Sequence, residues 1–254
     1  MRPTPALLAC GLLAACAASG PATSSTTSAT TSSTTSSTTS AIGSTTVPLE
    51  DAAPPPVPDA VVARVRASTF PVRGLDCRTS QVGTAFVVDE DLLITAAHVA
   101  AGIRSPVLGP EDAALASRVV AFDPVADLAV LRVEDPLPPA LPLGEAESGS
   151  AVALVGYDGD GAEDTRQLVL RQAIRATGKD IYGVAGEGRD ALQLDGVVVH
   201  GNSGGPIVDA NGRVVGVVFA NARGGTHTSF AVQVGEVQRL LGQVGTAPLE
   251  TECR

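Results

Sequence analysis

From about residue 60 onward, short Val-rich apolar runs alternate with Gly, Pro and Asp punctuation, the spacing expected of an all-β sandwich or barrel. The runs fall at residues 82–88, 92–95, 118–122, 128–133, 151–155, 167–173, 207–208, 214–219 and 229–234. Helical spacing enters only near the end, where Val237, Leu240, Leu241 and Val244 recur at three- and four-residue steps and predict a closing helix over about 235–244. A polar, Pro-rich stretch over 134–150 separates the strands into two groups, about 60–138 and about 149–234, and reads as the connection between two barrels.

Upstream the pattern is of another kind. Residues 23–46 are almost pure Ser and Thr and residues 48–58 are Pro-rich, so neither stretch can build a core, and 16–59 is predicted to be a tether with its Pro-rich end the stiffer. Met1 and Arg2 precede an apolar run over 6–18 that is too short to cross a bilayer as a mature helix. A charged start, a short apolar stretch and small residues mark a secretory signal peptide over 1–15. Leu13-Ala14-Ala15-Cys16 resembles the bacterial lipobox, in which the signal is cut before a Cys that then carries lipid, so Cys16 is the expected anchor. Cys10 fits less well, having Leu8 where a small residue is commoner, and an ordinary signal with an incidental Cys is the alternative. The expected location is the extracytoplasmic face of a cell membrane or envelope.

Composition sharpens this picture. Apolar residues make up 44% of the 254-residue chain but aromatics only 3%, with no Trp, so Val, Leu, Ile and Ala must fill the core, a bias towards strands. The formal net charge is -10, and the 17 Lys and Arg are scattered singly. Without a basic stripe to neutralise phosphates, nucleic acid is excluded as a partner. Once the signal region is set aside, Cys77 and Cys253 remain, one near each end of the domain at 60–254. In an exported protein they are most simply a disulfide, two independent thiols being the alternative.

Three segments carry chemistry. Gly201-Asn202-Ser203-Gly204-Gly205-Pro206 precedes an apolar strand, and its glycines permit the tight turn that exposes a Ser hydroxyl while backbone amides point at the same carbonyl oxygen. Thr95-Ala96-Ala97-His98 puts a His at a strand end, which suits a general base. His200 and His227 lack that context. Asp123-Pro124-Val125-Ala126-Asp127-Leu128 places a carboxylate at the head of an apolar strand, where its charge is costly unless paired. Asp123 opens a turn with Pro124, so Asp127 is the expected partner of His98.

In the order His, Asp, Ser these segments resemble the trypsin-like serine proteases. The Asp127-Leu128-Ala129-Val130-Leu131 and Gly201-to-Pro206 forms look like the bacterial HtrA branch, although no PDZ domain fits after Val244. A closer resemblance, over about 77–253, is to the MarP-type periplasmic acid-resistance protease of mycobacteria. It is carried by Arg171-Gln172-Ala173-Ile174-Arg175, Asp180-Ile181-Tyr182-Gly183, Asn211-Gly212-Arg213-Val214-Val215-Gly216-Val217-Val218-Phe219 and a terminal Cys pairing with one near the domain start. That family has an N-terminal bundle of membrane helices, for which a lipid and a tether are the expected substitute here.

The resemblance implies two six-stranded antiparallel β-barrels with a short C-terminal helix. It implies a serine endopeptidase acting on protein or peptide through Ser203, His98 and Asp127, with the backbone amides of Gly201 and Ser203 as the oxyanion hole. By position, Val197, Phe219, Asn221 and His227 wall the primary specificity pocket. Val197 stands where trypsin has its pocket carboxylate, favouring apolar or small side chains, while His227 leaves room for acidic ones. No cofactor and no metal is expected. Trypsin uses an Asp where Asn202 stands, to receive a new N-terminus on activation; with Asn202, activation by cleavage near Gly74 is not expected. A catalytically silent peptide-binding domain and an esterase are the rival readings.

Overall fold

The computed structural model describes residues 53–222 and 227–254. Cys10, Cys16, the signal segment and most of the tether lie outside them. Two antiparallel barrels of six strands each make up the fold. The first is built from Thr69–Leu75 (β1), Ser80–Val87 (β2), Leu92–Thr95 (β3), Val107–Leu108 (β4), Leu115–Asp123 (β5) and Leu128–Val133 (β6), closed in the order β1-β2-β3-β6-β5-β4. The second comprises Ala151–Tyr157 (β7), Glu163–Lys179 (β8), Ala185–Asp195 (β9), Pro206–Val208 (β10), Val214–Asn221 (β11) and Thr228–Gln233 (β12), closed as β10-β11-β12-β9-β8-β7. Beyond the closed part of the second barrel, residues 172–179 of β8 pair only with β9 and residues 185–190 of β9 only with β8.

Strand periodicity of two explains how so small an aromatic content suffices. Along β6, Ala129, Leu131 and Val133 point into the interior of the first barrel, while Leu128 and Val130 join a separate cluster with Val155, Val208 and Val217 of the second. The second barrel has its own interior around Leu154, Leu170, Leu194 and Ile207. Strands at the seam therefore bury both faces and read as continuous apolar runs. Each fully buried Val or Leu contributes about 1.5–3 kcal/mol.

Among the described residues three α-helices complete the fold: Asp59–Arg66 (α1), Ala97–Ala100 (α2) and Val234–Leu241 (α3). The first was not legible as a helix. Val61, Val62 and Val65 bury one side of its two turns, and Arg66 Nη2 donates to Thr165 Oγ1 at 2.6 Å. Just upstream, Val57 is buried, its N–H donating to Gln167 Oε1 and its carbonyl accepting from Gln167 Nε2, both at 3.0 Å. The packed chain thus begins a few residues before the expected boundary at 60.

Two further differences concern strands. The runs expected at 167–173 and 82–88 are real, but β8 extends over 17 residues, and its partner β9 and the strand β1 carried no clear alternation. Much of β8 and of the start of β9 is exposed, so no buried face imposes a period there.

The C-terminal tail returns to the first barrel after α3. Leu249 N–H donates to Val119 O at 2.8 Å, Arg132 Nη1 donates to Gly245 O at 2.9 Å, and Cys253 is joined to Cys77 by a disulfide that closes a loop with a sequence separation of 176. Constraining so long a loop is worth about 5 kcal/mol on the chain-entropy account. Among the described residues no helix is long and apolar enough to cross a membrane.

Candidate active site

His98 is the second residue of α2, three residues past the end of β3 at Thr95. Its Nδ1 lies 3.0 Å from Asp127 Oδ1 and 2.9 Å from Oδ2, and its backbone N–H donates to Oδ1 at 2.9 Å. The carboxylate thus grips both the ring and the main chain of one residue. Asp127 is buried and holds a φ of 61°, the left-handed region that Asp tolerates better than most residues. Asp123 serves the turn instead, its Oδ1 accepting from the N–H groups of Val125 and Ala126, both at 2.8 Å.

Ser203 sits on the turn between β9 and β10, and the first barrel clamps that turn. Thr84 of β2, fully buried, donates its N–H to Ser203 O at 2.8 Å. Its hydroxyl donates to Gly201 O at 2.8 Å and accepts from Tyr157 N–H at 3.1 Å. Thr95 Oγ1, at the strand end that carries His98, donates in turn to Thr84 O at 2.8 Å. One threonine thereby ties the serine turn to the histidine strand across the seam. Gly201 and Gly204 take φ values of 92° and 86°. Among the described residues neither Gly201 N–H nor Ser203 N–H has a hydrogen-bond partner within the protein. No hydrogen bond joins that hydroxyl to His98 among the described residues; the ring's bonds are those to Asp127.

Asn202 is fully buried, and all of its side chain is engaged. Its Oδ1 accepts from Val199 N–H at 2.8 Å, and its Nδ2 donates to Tyr157 O at 2.9 Å and to Asp164 Oδ2 at 3.0 Å. Burial raises the Tyr157 phenol above its ordinary pKa, with Glu163 adding to the effect and Arg66 opposing it; its hydroxyl donates to Thr69 O at 3.1 Å. Replacing Asn202 by Asp puts an oxygen acceptor against two others. The expected result is a loss of about 3 kcal/mol in local stability, the scale of breaking a buried polar network. A matching fall in kcat/KM on the order of 100-fold is expected, checked by steady-state kinetics beside thermal melting.

The four residues expected at the specificity wall differ in exposure and in their bonds. Val197 is 40% exposed, and His227 is exposed, with its carbonyl accepting from Gly196 N–H at 2.8 Å. The Asn221 amide is fully engaged: Nδ2 donates to Val198 O at 2.6 Å, and Oδ1 accepts from Val198 N–H at 3.2 Å and Ser229 Oγ at 2.9 Å. Phe219 is part-buried, and one face of its ring is covered by Arg189, whose guanidinium carbon lies 4.7 Å from the ring centroid.

Arg189 is a site residue that sequence reasoning missed. It lies near the start of β9, its side chain only 12% exposed, with Nη1 3.7 Å from Asp127 Oδ2. No local motif marks it; the only hint is an Arg two residues ahead of the apolar-rich segment 191–194. Among the described residues no cluster of three or more His, Cys, Asp or Glu is arranged to hold a metal ion.

The family model described as "Trypsin-like peptidase domain" matches residues 83–217, and the chain belongs to that family. It is 36% identical over 211 residues to the serine protease Rv3671c of Mycobacterium tuberculosis, across 81% of this chain and 53% of that one, so it spans about half the length of that relative. The crystal structure of the Rv3671c protease in its active form superposes with a TM-score of 0.74 at 37% identity, covering 80% of this chain and 92% of the other. An inactive form of the same protease gives 0.67 at 36% identity, covering 77% and 98%. The HtrA-type protease AlgW, solved with a tripeptide, gives 0.62 at 25% identity over 72% and 62%.

Proposed function

We propose that this chain is an exported, lipid-anchored serine endopeptidase that cleaves protein or peptide substrates through an acyl-enzyme. Residues 1–15 are the signal peptide, Cys16 the lipidated residue, and the stretch from there to the first packed residue, Val57, the tether of the protease domain that follows. Ser203 Oγ attacks the peptide carbonyl, His98 takes the proton and returns it to the leaving amine, and Asp127 orients the ring. Water then attacks the ester by the reverse route. The N–H groups of Gly201 and Ser203 hold the oxyanion, each worth about 3 kcal/mol of the barrier in enzymes of this kind.

The observation that carries the reading is the double grip of Asp127 on His98 Nδ1, at 3.0 and 2.9 Å. It fixes the proton on Nδ1 and leaves Nε2 free to accept from a serine. The missing bond between His98 and Ser203 is in keeping with unliganded proteases, where that contact tightens only with substrate. Similarity to a protease solved in an active form, and to one solved with a tripeptide, supports peptide as the substrate class.

Activation by a new N-terminus near Gly74 does not fit this chain. Gly74 lies inside β1, paired with Gln81, so freeing it would tear a strand from the first barrel. Asn202 already has its partners. A fluorophosphonate probe applied to the intact chain tests the whole reading. Wild-type protein takes up label without prior cleavage and hydrolyses peptides, and Ser203→Ala does neither while melting at the same temperature. Label on the alanine variant, or none on the wild type, rules the mechanism out.

A further inference from the structure

The guanidinium of Arg189 is a buried charge with no part in the mechanism so far. Its Nη1 is shielded from solvent and, among the described residues, has no hydrogen-bond partner. The other terminal nitrogen makes only a long 3.5 Å contact to Lys179 O. A guanidinium with five donors is normally well bonded when buried, so a position this poor in hydrogen bonds needs another source of stability. Two are at hand. Phe219 presents its ring face 4.7 Å from Cζ and is itself backed by Phe230, the two ring centroids 6.3 Å apart. On the other side lies the Asp127 carboxylate, with Oδ2 3.7 Å from Nη1.

That carboxylate has its own difficulty. It is buried, its backbone is in the left-handed region, and Oδ1 takes two bonds from His98 while Oδ2 takes one. Among the described residues the one fixed positive charge within 4 Å of the carboxylate is Arg189. Its approach depends on Gly188, which has a φ of 83° and lies so close to β8 that a Cβ there would sit 2.4 Å from Ala176 O. This contact falls where the β8–β9 register shifts between Ala176 and Gly178. A bulge of this kind re-aims a neighbouring side chain.

We propose that Arg189 is a positioning residue of the triad. Clamped against Phe219, it opposes the Asp127 charge from the side away from His98 and holds the carboxylate in the orientation that grips Nδ1. It touches neither substrate nor the reacting atoms, and its role rests on the triad reading given above. Coulombic attraction at 3.7 Å falls off slowly with distance, whereas a hydrogen bond does not. A lysine that keeps the charge therefore recovers much of the function, and a methionine that keeps only the volume does not.

The test uses the full chain with Arg189→Met, Arg189→Lys and Phe219→Leu. In Arg189→Met, kcat on a peptide substrate falls roughly 30- to 100-fold, the scale of a misplaced catalytic group, with KM within about twofold of wild type. Arg189→Lys restores kcat to within about fivefold. The low-field proton resonance of His98 Nδ1–H, recorded in the Ser203→Ala background, shifts or broadens in Arg189→Met and in Phe219→Leu and stays in place in Arg189→Lys. Unchanged kcat in Arg189→Met, a loss that Lys does not restore, or an unchanged resonance in Phe219→Leu overturns the proposal. The last measurement holds even where Arg189→Met fails to fold. Because the resonance is read without turnover, peptide cleavage persisting in Ser203→Ala would break the triad reading and leave the Arg189 result standing.

Discussion

Asp127→Asn is expected to lower kcat by about four orders of magnitude while leaving KM nearly unchanged, the size of effect seen when the same substitution is made in a serine protease triad. The cause is local. Asn Oδ1 can still accept from the His98 backbone N–H, now at 2.9 Å, but its amide nitrogen then faces Nδ1. A donor there forces Nδ1 to become the acceptor, so the ring proton moves to Nε2 and the imidazole can no longer take a proton from Ser203. The substitution also removes the only carboxylate with an oxygen recorded within 4 Å of an Arg189 nitrogen among the described residues, leaving a buried cation without its counter-charge. A lower melting temperature should therefore accompany the kinetic loss. Peptide hydrolysis, fluorophosphonate labelling rate and calorimetry on the one variant check all three, and a kcat within tenfold of wild type would remove Asp127 from the mechanism.

Gly204→Ala is the second large effect, on folding rather than chemistry. Gly204 has a φ of 86°, and a Cβ placed there would lie 2.2 Å from Thr84 O, 2.5 Å from Thr95 Oγ1 and 2.7 Å from Ala96 N. Two of these are backbone atoms and none belongs to a side chain that can swing away. The left-handed backbone alone costs about 1–2 kcal/mol, and the clash must be relieved by parting the barrels where Thr84 clamps the serine turn. A loss of at least about 4 kcal/mol lowers the melting temperature of a domain this size by about 10 °C. Circular dichroism melting decides it: a shift of only a degree or two would mean that the seam is not the tight junction described here. Gly161→Ala is a fair control, because Gly161 has a comparable φ of 81° but open space around its Cβ position.

These two sites differ in how far the sequence announces them. His98, Asp127 and Ser203 each sit in a segment whose local logic is readable: a strand end, a strand head and a glycine-rich turn. The meeting of His98 with Asp127 follows from strand order, because β3 and β6 are neighbours, and Thr84 ties the Ser203 turn to the same barrel. The helix α1 was hidden by its own composition. Val61, Val62 and Val65 favour strands, two turns are too short for a 3.6-residue period to stand out, and its stability comes from docking on the second barrel. Arg189 was hidden for another reason. Its position depends on a bulge in a long, exposed hairpin and on a phenylalanine thirty residues away in the chain, and neither leaves a mark near position 189. Thr84 is a third case, since a threonine in a strand is ordinary and only the folded chain puts the Gly201 carbonyl against its hydroxyl.

The bond between Cys77 and Cys253 encloses His98, Asp127 and Ser203 in one covalent ring. A self-cut or a foreign protease cut anywhere in that ring severs the backbone without releasing a fragment. The two pieces keep their shared core and stay at each other's side at any dilution, free to rejoin after thermal opening. Damage of this sort becomes a nick rather than a loss.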